Sequence, residues 1–274
     1  MLLLCIRHKQ LFVFKSSSTN ATTLNSVAHG SSHVIAATVP NCRAYDPTFA
    51  YELAVILDHG MREMLEEQRD VFYYVTLLNE NYAQPSLPEG VEEDLIRGAY
   101  RLGGHAPVGA VANVRLLGSG AILREVIAAA ELLARDWNVA SDVYSVTSFS
   151  ELARDAAEVE RWNRLHPDQS MRRSHVDQTL AGDRLIVAAT DYVRAYPQLI
   201  APQLRARYVT LGTDGFGRSD TRAAVRRFFE VDRASIVLAT LSALAQAGEI
   251  APDVPARAIA KYEIPVDDAP PWKR

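Results

Sequence analysis

Cysteines and long apolar runs are both scarce in this sequence, and their scarcity excludes several classes of protein. Cys5 and Cys42 are its only cysteines, so the sequence has no disulfide framework and no zinc-ligand spacing, and a reducing cytoplasm is the expected location. No apolar run approaches the roughly 18–20 residues needed to span a bilayer. Basic residues at positions 7–9 interrupt the apolar N-terminus, and no small-residue cleavage site follows it, which disfavours a secretory signal.

An excess of positive charge is also missing. The net charge is −4 and the isoelectric point is near 6.0, which argues against non-specific binding to nucleic acid. Arg222, Arg226 and Arg227 stand together, but on one predicted helix they are expected to form a solvated face. Hydrophobic residues make up 48% and charged residues 23%, an ordinary globular composition that can build a large core.

Residues 1–33 differ from the rest of the chain. The polar run at 16–23 has no helical or strand periodicity, so residues 1–33 are predicted to be a flexible leader. From Val34 onward strands and helices alternate, which predicts an α/β fold with a mainly parallel sheet and helices on both faces. The predicted strands span residues 72–78, 111–117, 142–147, 184–189 and 207–211.

Three local signals set the expected boundaries of two helices and of one domain. Asp46-Pro47 predicts a helix start, because Asp caps free amides and Pro fits the first turn. Gly103-Gly104 predicts a boundary between two domains. Pro197 and Pro202 predict that the helix expected over 192–204 is short or kinked.

Gly118-Ser119-Gly120 lies between a predicted strand and a predicted helix, where backbone amides are able to hold a phosphate. The dinucleotide fingerprint is incomplete, because the third glycine is missing and no acidic residue closes the next strand. A tight structural turn is therefore favoured over a nucleotide site.

The most distinctive stretch is the loop Gly212–Asp220, with three glycines and a helix cap at Ser219 or Asp220. Arg218 beside a helix start is suited to hold an anion. The favoured interpretation is a rigid loop at the carboxyl edge of the sheet that packs against a neighbouring domain.

His29 and His33 stand four residues apart, as helical metal ligands do, but in Ser/Gly-rich sequence without an acidic third ligand. The sequence therefore predicts no metal site. It also lacks the nucleophile elbow of hydrolases and the phosphate-binding loop of many ATPases.

Several longer segments, taken in order, resemble one known family. They are residues 39–42, 45–47, 76–82, 116–120, 142–149, 160–163, 165–167 and 211–220. Together they resemble the decarboxylating component of the homodimeric, bacterial-type pyruvate dehydrogenase complex, over residues 34 to 262. So many collinear matches are far more specific than any single glycine motif.

This resemblance implies an enzyme similar to transketolase, in which thiamine diphosphate and Mg²⁺ lie between two upstream domains. It implies a homodimer that decarboxylates pyruvate and passes the acetyl unit to a lipoyl group of the acetyltransferase component. Residues 34–103 would be the C-terminal end of the pyrimidine-binding domain, 104–264 the transketolase-like C-terminal domain, and 265–274 a tail.

Against that family pattern, this chain lacks the cofactor motif, so no cofactor-binding or metal residues are carried over. The family has a catalytic histidine in a loop that Gly30, Ser32 and His33 match. An ungapped count places Val27 at the histidine position, with His29 two residues away, so His29 is the one candidate catalytic residue.

The expected function is that of a pyruvate dehydrogenase fragment, which alone is structural and shapes the dimer and the packing of domains. The alternative is an independent α/β module for oligomerisation or partner docking. A weaker third reading is a small nucleotide-binding enzyme built on Gly118-Ser119-Gly120.

Overall fold

The first of two sheets is four-stranded in the described part of the chain. A computed structural model describes residues 2–6, 10–17 and 30–274. The first sheet has the order β1-β2-β4-β3, parallel except for the pairing of β1 with β2. Its region contains β1 (Leu2–Ile6), β2 (Gln10–Ser17), α1 (Ser32–Ala37), β3 (Cys42–Tyr45), α2 (Ala50–Met61), a π-helical turn (Arg62–Glu66) and β4 (Phe72–Leu78).

The second sheet has the order β5-β7-β6-β8-β9 and is parallel except for β5, which pairs antiparallel with β7. After the connecting helix α3 (Glu92–Arg97), its elements are β5 (Ala99–His105), β6 (Ala112–Gly118), α4 (Leu123–Trp137), β7 (Val139–Val146), α5 (Phe149–Leu165), α6 (His175–Thr179), β8 (Ile186–Ala189), β9 (Tyr208–Leu211), α7 (Arg222–Phe228), α8 (Arg233–Gln246) and α9 (Val254–Tyr262). Short 3₁₀ turns occupy Gly120–Ile122, Pro197–Gln203 and Pro271–Lys273.

Helices cover both faces of the second sheet. Successive residues of a strand point to opposite faces, so neighbouring residues of one strand pack against different helices. In β6, Leu116 packs in the core that contains α4 and α8, whereas Leu117 packs in the core that contains α5. All three helices bury their apolar side chains against the strands. The predicted α/β class with a mainly parallel sheet is confirmed.

Two expected boundaries differ from the elements of the structure. Gly103-Gly104 lies inside β5, where any side chain at Gly104 would collide with the backbone of Ser141 on β7, and the domain limit expected there stays a prediction. The first long helix begins at Ala50 and not at Asp46, because the carboxylate of Asp46 is buried and accepts a bond from Thr76 instead of capping amides.

Two other helix predictions need a smaller change. Of the predicted helix over 192–204, the structure forms a 3₁₀ turn at Pro197–Gln203, which Pro202 keeps from continuing as an α-helix. The helix after the glycine-rich loop begins at Arg222, and its cap is Thr221, whose hydroxyl accepts from the amide of Ala224.

The segment predicted as a leader contains strands in the described residues. β2 runs parallel to β4, with residues 12–17 opposite 73–78. The apolar and aromatic residues at 11–14 have high strand propensity, which the low-complexity run beside them obscured.

Glu52 joins the two sheets. Its carboxylate accepts from the amides of Thr48 and Phe49 at the start of α2, at 2.5 and 3.0 Å. The same carboxylate accepts from the hydroxyls of Tyr100 on β5 and Ser145 on β7, each at 2.6 Å. The two sheets therefore share a fully buried hydrogen-bonded centre.

Within the described residues, no helix is both long and apolar enough to cross a membrane.

Candidate functional site

Strand ends from both sheets meet at one place. Asp46 follows β3, and its backbone N–H donates to the carbonyl of Thr147, the residue after β7, at 2.8 Å. The carbonyl of Asp46 accepts from the N–H of Gly120, just beyond β6, at 3.1 Å. Carboxyl ends of parallel strands are where α/β proteins place their binding sites, so this junction is the candidate site.

Asp46 is the central acid of this junction. Its Oδ1 accepts from the hydroxyl of Thr76 at 2.6 Å and lies 3.4 Å from the hydroxyl of Tyr192. The hydroxyl of Ser119 also lies close enough to this carboxylate to lower its pKa. Burial raises the pKa of Asp46 to about 7, and the hydrogen bond from Thr76 opposes that increase. A buried carboxyl that changes charge near neutral pH is suited to take up and release a proton.

His33 lies on the other side of Thr76. It belongs to α1 and is fully buried, and its Nε2 is 3.1 Å from the Thr76 hydroxyl. The rings of Tyr74, Tyr192 and Tyr196 surround its imidazole at centroid distances of 5.3, 4.4 and 4.8 Å. His33 is therefore a core histidine, and it lies on a helix, contrary to the expectation from its Ser/Gly-rich surroundings.

The segment before His33 docks against the end of the second sheet. The carbonyl of Gly30 accepts from the N–H of Val193 at 2.9 Å, and a side chain at Gly30 would collide with Thr213. His29, the predicted catalytic candidate, lies outside the described residues, immediately before Gly30. Its role stays a prediction.

The Gly118-Ser119-Gly120 turn is a structural turn. A Cβ at Gly120 would meet both carboxylate oxygens of Asp46 at distances that real Cβ atoms do not reach. The hydroxyl of Ser119 is paired with that of Thr190 at 2.9 Å. A phosphate needs hydrogen-bond donors, but at this turn it would meet the carboxylate of Asp46. This argues against the hypothesis of a nucleotide-binding enzyme.

The described residues do not fit the diphosphate and metal that the resemblance implies. The Gly118-Ser119-Gly120 turn lies between a strand and a helix, where a diphosphate would be expected to bind, but it faces the carboxylate of Asp46. The described part of the chain also has no group of three His, Cys, Asp or Glu side chains able to hold a metal ion. Cys42 is buried, and burial raises its pKa to about 11, so its thiol is not a nucleophile at neutral pH. We therefore derive no catalytic step through a cofactor.

A second polar cluster fixes the connection between the sheets. Glu80 accepts from Arg124 at 2.5 Å and from Arg226 at 2.7 Å. Arg226 also binds Glu125 at 3.1 Å. The prediction of a solvated arginine face was wrong for Arg226, because two carboxylates compensate its burial.

The glycine-rich loop packs against the C-terminus of the same chain. A Cβ at Gly215 would lie 3.1–3.3 Å from the backbone of Pro271 and Trp272, so the loop passes close to the C-terminal residues. The guanidinium of Arg218 lies 4.1 Å from the ring centroid of Phe228, a cation–π contact on α7. Asp214 forms an ion pair with Arg194, so the loop is tied down at several points.

Comparison with known proteins matches both parts of this architecture. Residues 10–85 match the model of the pyruvate dehydrogenase E1 component middle domain, and residues 98–232 match the transketolase-like C-terminal domain. The first match begins within the predicted leader, and the domain limits stay a prediction. A split-gene transketolase, solved as an inactive beta4 tetramer, shares the fold, with a TM-score of 0.53 and 14% identity over 86% of this chain and 66% of that one.

These matches define the class as a transketolase-like α/β protein. Similarity in sequence is closer to one family. The chain is 54% identical over 249 residues to the pyruvate dehydrogenase E1 component of Pseudomonas aeruginosa and 52% identical over 248 residues to that of Cupriavidus necator. Each alignment covers 89% of this chain and 28% of the relative. The chain belongs to the pyruvate dehydrogenase E1 component family and spans little more than a quarter of the length of these relatives.

Proposed function

We propose that this chain is a structural part of a pyruvate dehydrogenase E1-type enzyme and is inactive alone. The observation that carries the proposal is the pair of family matches in tandem, the middle domain at 10–85 and the C-terminal domain at 98–232. In that role the chain forms the wall at the carboxyl ends of the two sheets. Thiamine diphosphate and Mg²⁺ are then held by other polypeptide.

The proposal extends to the setting of the enzyme. We include in the proposal a homodimer, pyruvate as substrate of the complete enzyme, a lipoyl-bearing acetyltransferase as partner and a cytoplasmic location. The family supports the first three, and the scarcity of cysteine supports the fourth. His29 remains the proposed catalytic residue of this segment, because the next residue, Gly30, docks at the carboxyl end of the second sheet.

Calorimetry tests the proposal on the chain as it exists. Thiamine diphosphate titrated into the chain in the presence of Mg²⁺ should give no saturable heat, because the turn best placed for a diphosphate faces Asp46. The Pseudomonas aeruginosa relative, titrated under the same conditions, serves as the positive control. Stoichiometric, Mg²⁺-dependent binding to this chain would contradict the proposal.

A second candidate function is an independent oligomerisation or docking module. It is favoured by the split-gene transketolase, whose solved form is described as an inactive beta4 tetramer of a separate chain with this fold. Light scattering measures the assembly state, and a pull-down measures capture of the acetyltransferase component. A stable oligomer that captures this component without other E1 polypeptide favours the module; a monomer that captures nothing excludes it.

A further inference from the structure

Thr76 connects two buried titratable groups. Its single hydroxyl lies 2.6 Å from Oδ1 of Asp46 and 3.1 Å from Nε2 of His33. A hydroxyl donates one proton and accepts at its lone pairs, whereas an ionised carboxylate only accepts. The carbonyl of Tyr45 also lies 3.3 Å from this hydroxyl, but the contact with Asp46 is much shorter and charge-assisted when Asp46 is ionised. Thr76 then donates to Asp46 and accepts from His33, which places the proton of a neutral His33 on Nε2.

Protonation of Asp46 reverses both hydrogen bonds. A protonated Oδ1 donates to Thr76, and the Thr76 proton turns toward Nε2 of His33. His33 is then neutral with its proton on Nδ1. The change balances as the passage of one proton from solvent: a bond to hydrogen forms at Nδ1, the Nε2 proton moves to Oγ1, and the Oγ1 proton moves to Oδ1.

The surroundings of Asp46 and His33 favour the uncharged form of each side chain. Both Asp46 and His33 are almost completely excluded from solvent. Among the described residues, the titratable groups beside Asp46 include the carboxyls of Glu52 and Asp191 and the hydroxyls of Tyr74, Tyr192 and Tyr196. The rings of the same three tyrosines also face His33. Negative carboxyls beside Asp46 raise its pKa, adding to the effect of burial.

We propose that His33, Thr76 and Asp46 form a buried proton relay, in which the ring tautomer of His33 reverses when Asp46 takes up a proton. The relay lies at the junction of the strand ends, and its His33 is three residues beyond Gly30. It therefore stores one proton beside the candidate site. It is a property of this chain alone and goes beyond the proposed function, since it needs neither cofactor nor a second polypeptide.

Nuclear magnetic resonance of the full chain labelled with ¹⁵N-histidine tests the relay. Long-range proton–nitrogen spectra distinguish the two tautomers, and His33→Gln identifies the signals of His33. Between pH 5.5 and 8.5 we expect His33 to stay neutral and to change from the Nδ1–H to the Nε2–H form with a midpoint near 7. His175 is the matched control for assigning the tautomer: it is also buried, and its Nε2 faces the carbonyl of Ala99 at 2.7 Å, so a neutral His175 carries its proton on Nε2.

Three variants separate the relay from mere burial. Asp46→Asn removes the titrating group and should abolish the tautomer change of His33. Thr76→Val should also abolish it, whereas Thr76→Ser keeps the hydroxyl and should retain it, so this pair decides the matter even if Asp46→Asn does not fold. A His33 that becomes doubly protonated, keeps one tautomer at every pH, or still switches in Thr76→Val would overturn the proposal.

Discussion

The hydroxyl of Tyr100 donates a 2.6 Å hydrogen bond to Oε1 of Glu52, and this bond links a strand of the second sheet to a helix packed on the first. Glu52 is fully buried, so each of its donors compensates part of the cost of removing a carboxylate from water. The relative placement of the two sheets therefore depends on a small number of polar contacts as well as on apolar packing.

Replacing Tyr100 by Phe should destabilise the chain by about 1–3 kcal/mol, because Glu52 loses a buried donor. Tyr51→Phe is the control: its hydroxyl contacts the hydroxyl of Tyr100 at 2.5 Å and not Glu52 itself. Its cost should be below about 1 kcal/mol. Urea unfolding followed by circular dichroism measures both values, and equal effects would show that Glu52 does not depend on this donor.

Glu125 should make stability depend on acid pH. Burial raises its pKa, but hydrogen bonds and charges from Arg233 and Arg226 outweigh that effect and hold the pKa below its ordinary value. A carboxyl with a lowered folded-state pKa stabilises the fold above its unfolded pKa of roughly 4.3, and this contribution is lost as the pH falls through the folded pKa.

Glu125→Gln should therefore cost on the order of 3 kcal/mol at pH 7, because it leaves Arg226 with a weaker partner in a buried position. The cost should shrink as the pH falls below 4. Glu131→Gln, at an exposed position of the same helix, should change stability by less than about 0.5 kcal/mol. Urea midpoints measured from pH 3 to 7 check both; a pH-independent cost for Glu125→Gln contradicts the assignment.

Gly120→Ala tests the contact between the turn and Asp46. Gly120 has φ +48° and no room for a Cβ, whereas Gly182 has φ +98° and no neighbour within 4 Å of an added Cβ. Gly182→Ala should cost about 1–2 kcal/mol for backbone strain alone. Gly120→Ala should cost about 1–3 kcal/mol more, because the collision adds to the strain. Thermal unfolding measures the difference, and equal costs would remove the argument that Asp46 fills the turn.

Much of the fold follows from local pattern. The strand at 72–78 and the alternating elements from 111 to 211 are found within a few residues of their predicted positions, because apolar periodicity reports burial directly. β5 was missed because its two glycines are typical of a boundary. In the structure Gly104 is a position where a neighbouring strand comes too close for a side chain.

The candidate site was harder to predict, because its residues are distant in sequence. Asp46 has the local signature of a helix cap, and only the packing of Thr76 beside it shows that its carboxylate is buried. Arg226 has the signature of a surface residue, and Glu80 and Glu125, which compensate its charge, lie more than 100 positions away. Such pairings depend on tertiary structure and leave no trace in local spacing. The family resemblance contained Asp46 and Thr76 within its matching segments but gave neither a role.

Release of carbon dioxide from pyruvate tests most directly whether this chain acts only as part of a larger enzyme. The chain is incubated with pyruvate, thiamine diphosphate, Mg²⁺ and an electron acceptor, beside the Pseudomonas aeruginosa relative as the active control. We expect carbon dioxide from the relative and none above the blank from this chain. Repeated turnover by the purified chain alone would contradict the account.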